Sequence, residues 1–248
     1  MEEQYIIGRN PVIELLKSDT EVDKIYLLKG NVEGSIKKII GMAKDKGIVV
    51  QEVDRQKLDT MADGEVHQGV VALATGYEYY SVEDIIQSAK DKNESPFVVI
   101  LDSIEDTHNL GAIIRTAECA GVHGVIIPKR RAAMVNQTVF KTSAGAVQHM
   151  KIAKVTNISQ TIDKLKELGL WIYGADMEGE SLYYKSNLTG SIGLIVGGEN
   201  KGIGPALLNK CDQIISIPMF GEVNSLNASA SAAILIYEIV RQRDESNK

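Results

Sequence analysis

Three stretches of the chain place polar residues or glycines where an apolar, strand-like run gives way to a helix-like one. Ligands gather at such places, the carboxyl ends of strands in open α/β sheets. The first is Asp102 to Ala117, DSIEDTHNLGAIIRTA. Asn109 sits where a helix N-cap belongs. Leu110, Ile113, Ile114 and Ala117 make an apolar face, and His108, Gly111, Arg115 and Glu118 form the opposite stripe at spacings of three and four. Gly111 leaves room beside Arg115 for something to approach the backbone. The plain alternative is a capped amphipathic helix whose solvated arginine pairs with Glu118.

The second stretch is Leu194 to Pro205, LIVGGENKGIGP. A strand runs into Gly197 and Gly198, then Glu199, then Gly202 and Gly204. Glycines permit positive φ and let a ligand lie against the main chain. The Lys-Ser/Thr ending of a P-loop is missing, and so is G-x-G-x-x-G in a dinucleotide-binding setting. A carboxylate in the middle would repel phosphate, so a ligand with a cationic centre and ribose hydroxyls fits better. An ordinary glycine-rich turn is the alternative. The third stretch is Ile215 to Ala233, ISIPMFGEVNSLNASASAA. An apolar strand ends at Ile217-Pro218-Met219, and after a loop Ser225-Leu226-Asn227 opens a helix that either Ser225 or Asn227 can cap. The small residues that follow admit another backbone, as a tight turn or a subunit contact would need; simple helix propensity also accounts for them.

Positioning these stretches requires a regular scaffold, and the pattern supplies one. From Phe97 onward strand and helix alternate. Val98 to Leu101, Val125 to Ile127, Lys151 to Val155, Leu170 to Tyr173, Ile192 to Val196 and Ile214 to Ile217 read as strands. Asn109 to Ala120, Asn136 to Ala146, Asn157 to Leu168, Pro205 to Cys211 and about Ser225 to Arg241 read as helices. Such alternation predicts a mostly parallel sheet covered by helices. The first 75 or so residues form a smaller α/β unit. Its strands are Tyr5–Ile7, Lys24–Leu28, Ile48–Val50 and Val70–Leu73; its helices run from Asn10-Pro11, over Val32 to Lys46, and over Arg55 to Met61. Residues 76–95 read as a connector with a tyrosine cluster and a capping-box start at Ser81-Val-Glu-Asp.

At 248 residues the chain suits one large domain, or a small and a medium one. Its 44% apolar and 24% charged residues are ordinary for a globular protein. No apolar run approaches the roughly 20 residues of a membrane span. The start, MEEQYIIGRNP, lacks a signal-peptide pattern, which leads to the expectation of a cytoplasmic protein. Cys119 and Cys211 read as small buried apolar residues, and the four histidines show no zinc-ligand spacing, so neither metal nor disulfide is expected. The net charge of −6 argues against a simple nucleic-acid binder but leaves room for a local basic patch, of which Lys129-Arg130-Arg131 is one candidate.

Taken together, N-L-G-A-I-I-R-T-A, then G-G-E-N-K-G-I-G, then I-P-M followed by S-L-N-A-S-A-S-A-A, in this order, resemble the three motifs of the SpoU-type (TrmH-like) RNA 2′-O-ribose methyltransferases of the SPOUT class. The resemblance covers about Pro96 to Arg241. The first part resembles the substrate-binding domain carried by the ribosomal-RNA branch, a small ribosomal-protein-like fold, and His67-Gln68-Gly69-Val70-Val71-Ala72 is similar to its end.

This resemblance implies an RNA-binding domain over 1–75, a linker over 76–95 and a methyltransferase domain over 96–248. The fold would be an α/β sheet whose C-terminal segment forms a trefoil knot, an exception among proteins. S-adenosylmethionine (SAM) would lie bent in the knot, lined by Gly197, Gly198, Ile217, Met219, Ser225 and Leu226, with Met219 and Leu226 covering the adenine. The substrate would be a guanosine ribose of large-subunit (23S-type) ribosomal RNA, and the protein a homodimer. By resemblance Arg115 stands nearest the transfer, with Asn109, Glu199, Ser225 and Asn227 around it. Guanidinium groups keep their charge in proteins, so Arg115 is read as a cation that orients the hydroxyl and stabilises the oxyanion. A tRNA ribose methyltransferase, a base-modifying enzyme of the same class and a non-catalytic RNA-binding assembly factor are the competing readings.

Overall fold

The structure is a computed structural model and describes residues 3–17, 22–30, 33–75, 77–179, 181–199 and 201–246. The chain divides into two compact units, Met1–Glu78 with Met134–Gln137, and Tyr79–Ala133 with Thr138–Lys248.

In the first unit β1 (Glu3–Ile7), β2 (Val22–Leu28), β3 (Val49–Val53) and β4 (Val70–Thr75) pair in the order β1-β4-β2-β3. β4 runs antiparallel to both neighbours, and β2 and β3 are parallel. Helices α1 (Arg9–Lys17) and α2 (Ser35–Asp45) bury Val12, Leu16, Ile36, Ile39 and Ala43 with Ile25, Val70 and Ala72. The four-residue spacing of Ile39 and Ala43 is the helical period that put them on one face. Val32, the expected first residue of α2, lies outside the described residues. α3 (Arg55–Ala62) is capped by Asp54, whose carboxylate accepts from the Lys57 amide at 2.9 Å, and buries Leu58 with Tyr26, Val53 and Val71.

The second unit opens with α4 (Val82–Asp91), inside the stretch expected to be a connector. Ser81 forms the capping box: its Oγ accepts from the Asp84 amide, and Asp84 accepts from the Ser81 amide at 2.9 Å. Val82, Ile85, Ile86 and Ala89 fall on one helical face and are buried in the core, so this segment is a structural layer. Seven strands follow: β5 (Phe97–Asp102), β6 (Gly124–Pro128), β7 (Ile152–Val155), β8 (Trp171–Ala175), β9 (Ser181–Leu182), β10 (Ile192–Gly197) and β11 (Gln213–Ser216). Their order is β7-β6-β5-β10-β8-β11-β9, and every pair is parallel. The helices between and after them are α5 (Thr107–Cys119), α6 (Gln137–Thr142), α7 (Ile158–Glu167), α8 (Pro205–Leu208) and α9 (Ala228–Ser246). Residues 97–101 of β5 are all buried, as expected of a central parallel strand. Val98 and Ile100 pack with α4 and α7 residues, while α5 and α9 pack on each other and α9 on β10.

The strand order creates one special position. From β5 the chain steps outward through β6 to β7, then returns to β8 on the far side, and β10 later fills the gap between β5 and β8. The loops leaving β5 and β10 therefore diverge from neighbouring strands, which opens a crevice at their carboxyl ends. No helix among the described residues is long and apolar enough to cross a membrane. Cys119, expected inside, is exposed at the end of α5. Cys211 is half-buried against Gly174, and burial pushes its thiol pKa up to about 11.

Candidate active site

The crevice at the β5–β10 switch point is a cavity of about 410 Å³, within the range of small-molecule sites. It is lined by the loop after β5 (Ser103, Ile104, Glu105, Asp106), Asn109 on α5, Arg131 after β6, the turn after β10 (Gly198, Glu199, Lys201) and Ala228 at the start of α9.

Each wall is built by local chemistry. Asp102, the polar end of the apolar strand β5, holds both loops. Its carboxylate accepts from the Gly204 amide at 2.9 Å and from Ser103 Oγ at 3.1 Å, and its carbonyl from the Gly198 amide at 2.8 Å. A Cβ on Gly198 would lie 2.2 Å from the Ser103 carbonyl oxygen, and one on Gly197 would lie 2.2 Å from the Gly202 carbonyl carbon. Both glycines are thus demanded by the protein's own backbone. Of the glycines in this turn, Gly202 has the left-handed φ, at 60°.

Asp106 is the N-cap of α5, its carboxylate accepting from the His108 amide at 2.8 Å. The cap expected at Asn109 is therefore made three residues earlier, since aspartate and asparagine cap about equally well. Asn109 is released from capping and buried in the first helical turn, where its Nδ2 donates to Glu199 Oε1 at 2.8 Å. Asn227 takes the cap of α9: its Oδ1 accepts from the Ser229 amide at 2.9 Å and from Ser229 Oγ at 2.6 Å. Its Nδ2 donates to Glu199 Oε1 at 2.5 Å and to Asn109 Oδ1 at 3.1 Å. Two amide side chains 118 positions apart thus converge on one carboxylate oxygen of Glu199. Glu199 Oε2 makes no hydrogen bond among the described residues, so it can accept from a hydroxyl or face a cationic centre.

Arg115 is not brought to this cluster. It is exposed on α5, about 9 Å further along the helix and about 120° around it from Asn109. Neither a pairing with Glu118, the plain alternative, nor any other hydrogen bond involves it among the described residues. The room left by Gly111 is used by the chain itself: a Cβ there would fall 1.9 Å from Thr142 Oγ1 and 3.0 Å from the Ser143 amide nitrogen. Ile217 and Met219, half-buried, and Ser225 and Leu226, exposed, occupy the segment between β11 and α9, and none of the four lines this cavity.

Two lining residues, Ser103 and Arg131, are non-glycines with left-handed backbone, at φ 60° and 55°. Such a conformation costs a non-glycine residue about 1–2 kcal/mol and concentrates at functional sites. The brace of both loops, Asp102, belongs to no motif; its one signal in the sequence is a lone carboxylate ending an apolar strand. Residue spacing marks Arg131 only as part of a basic patch, because loop conformation is not written in it. Among the described residues no group of three or more His, Cys, Asp or Glu side chains is arranged to hold a metal ion.

A fully parallel sheet with a crevice at its switch point, faced by an amide-braced carboxylate, defines an α/β protein of the kind that takes ligands at the carboxyl ends of its strands. Residues 96–237 match the SpoU rRNA Methylase family, and residues 5–80 match the RNA 2′-O ribose methyltransferase substrate binding domain. The chain belongs to this SpoU/TrmH family. YacO of Bacillus subtilis (strain 168), named for the TrmH family of tRNA/rRNA methyltransferases, is 45% identical over 240 residues, covering 97% of this chain and 96% of its own. The fold is also that of the SpoU methyltransferase AviRb from Streptomyces viridochromogenes, solved with AdoMet: TM-score 0.62 at 22% identity, over 98% of this chain and 91% of that one. The A. aeolicus TrmH/SpoU tRNA modifying enzyme matches with TM-score 0.57 at 27% identity, over 66% of this chain and 86% of that one. The protein is accordingly a SAM-dependent RNA methyltransferase. Glu105, Asp106 and Glu199 set three carboxylates on the wall of its crevice.

Proposed function

We propose that the protein methylates the ribose 2′-hydroxyl of a guanosine in large-subunit ribosomal RNA, acting as a homodimer in the cytoplasm. The observation that carries this reading is the Asn109–Glu199–Asn227 cluster at the switch-point crevice. When bound, SAM supplies a methyl group on a cationic sulfur, open to an in-line nucleophile. A ribose hydroxyl is a poor nucleophile until its proton is leaving, so the protein must align it and stabilise developing negative charge. Glu199, oriented by the two amides, accepts the hydrogen bond of the hydroxyl or of an intervening water through its open Oε2. Asn109 and Asn227 hold that carboxylate in one orientation. Gly197, Gly198, Ile217, Met219, Ser225 and Leu226 hold SAM, in a segment that we take to be threaded as the trefoil knot of the SPOUT class.

Arg115 provides the cation that orients the hydroxyl or its neighbouring phosphate. Because it points away from its own crevice, it serves the crevice of a second copy, which is why the active form is a dimer. The first unit takes up RNA. A cavity of about 690 Å³ there is lined by Arg9, Arg55, His67 and Gln68, with Arg9 Nε donating to the Gln68 carbonyl at 2.9 Å. Ribosomal RNA is favoured because this front unit matches a 2′-O ribose methyltransferase substrate-binding domain, whereas the A. aeolicus tRNA enzyme spans only 66% of the chain. Methylation of tRNA is the second reading, favoured by the 27% identity to that enzyme.

Mapping ribose methylation across total RNA from cells lacking the protein tests the proposal. One alkali-resistant 2′-O-methylguanosine dinucleotide should vanish from large-subunit rRNA and return with the gene. Loss from tRNA would establish the second reading, and loss of a base methyl would overturn both.

A further inference from the structure

The loop leaving β6 carries Lys129, Arg130 and Arg131 in succession. It is pinned on both sides: the Lys129 amide donates to the Val155 carbonyl at 2.8 Å, and the Ala133 amide to the Ile104 carbonyl at 2.7 Å. Between these anchors Arg131 adopts the left-handed backbone, φ 55°. Glycine would relieve that strain. The residue there is an arginine all the same, exposed and lining the Asn109–Glu199 cavity. Three carboxylates line the same cavity, yet Arg131 makes no hydrogen bond or ion pair among the described residues. An arginine with a fixed backbone, an unengaged guanidinium and a place on the cavity wall is a preset anion fork.

Positive charge continues beside it. Lys129, which Arg130 follows, adjoins β7 through its amide, and on that strand Lys154 lies 4.1 Å above the Tyr79 ring and Lys151 4.3 Å above that of exposed Tyr80. The Tyr80 amide donates to the Ile152 carbonyl at 2.9 Å, which fixes the tyrosines along the sheet edge. Cations interleaved with aromatic faces suit a single RNA strand, whose phosphates pair with the charges and whose bases stack on the rings. On a chain of net charge −6, this clustering is local.

We propose that Arg131 grips the phosphate adjoining the target ribose, and that Lys129, Arg130 and the Tyr79–Tyr80 edge lead the strand to it. The inference rests on the reading of the crevice as an RNA ribose methylation site, and makes Arg131 a substrate-positioning residue.

The test compares Arg131→Gly and Arg131→Lys with the wild type in the full-length protein, using RNA purified from cells lacking it. For Arg131→Gly the thermal midpoint should hold or rise as backbone strain is relieved, and SAM affinity should hold. Its RNA Kd should rise about tenfold or more, the loss of one charge-assisted contact. The slope of log affinity against log salt should shrink by about 0.7, one single-strand phosphate contact. Arg131→Lys should keep most of the salt slope while losing the fork's precision in single-turnover transfer. An unchanged Kd and salt slope in Arg131→Gly would overturn the proposal, and so would a joint fall in thermal midpoint and SAM affinity, which marks a merely structural arginine. If the wild type proves to methylate a base, the ribose reading fails while the salt slope still reports whether Arg131 holds a phosphate.

Discussion

Replacing Asn227 with aspartate separates the two tasks of that side chain. Aspartate caps helices as well as asparagine does, so the bonds from the Ser229 amide and hydroxyl to Oδ1 survive. The Nδ2 donor to Glu199 and Asn109 is lost, and a second carboxylate is set where Glu199 Oε1 had an amide 2.5 Å away. A hydrogen bond to a charged acceptor contributes about 1.5–3 kcal/mol. Glu199 and Asn227 are exposed, so screening reduces both this and the new repulsion. About 1–2 kcal/mol of Glu199 positioning should be lost, equivalent to a fall in single-turnover transfer of about 5- to 30-fold. Thermal unfolding should change little, because the α9 cap is intact. Adding Glu199→Gln to Asn227→Asp restores a donor opposite the carboxylate and removes the repulsion. In a double-mutant cycle the pair should then lose less than the sum of the single changes. Wild-type transfer by Asn227→Asp, or strict additivity in the cycle, would refute the idea that the amides orient Glu199.

Arg115→Ala should lower transfer by about 100- to 1000-fold, the loss of one charge-stabilising donor, with SAM titration unchanged, and Arg115→Lys should also be poor. Mixed dimers of Arg115→Ala with Glu199→Gln subunits should regain activity if each crevice borrows the arginine of the other copy, and stay inactive if it does not. Gly198→Ala forces a Cβ to within 2.2 Å of a backbone oxygen, so calorimetry should show about 1–3 kcal/mol of destabilisation. His123 is buried, accepts from the Phe97 amide at Nδ1, and burial holds its pKa below the usual value. The unfolded chain takes that proton first, so stability is full above about pH 6.5 and falls as the pH drops from there through the folded value. Urea titrations at pH 8 and pH 5 should show the loss, and it should be smaller in His123→Gln.

The order of α-helices and strands was readable because local patterning encodes it. Leu110, Ile113, Ile114 and Ala117 declare the buried face of α5, Ser81 and Asp84 declare a capping box, and Asn157 caps α7 as its position implies. The glycines of the second motif fall where backbones crowd, as at Gly197 and Gly198. Residue types alone marked Asn109 as a helix cap, because Asp106 competes for that cap with nearly equal propensity. The route by which Gly111 is filled was not readable, since Thr142 reaches it from 31 positions away through packing that no short window contains. Only the tertiary structure set β10 between β5 and β8, and with it the meeting of Asn109, Glu199 and Asn227. The physical reason is range: helix caps and apolar periodicity act within a few residues, whereas the order of parallel strands is settled by how whole faces of strand and helix bury one another.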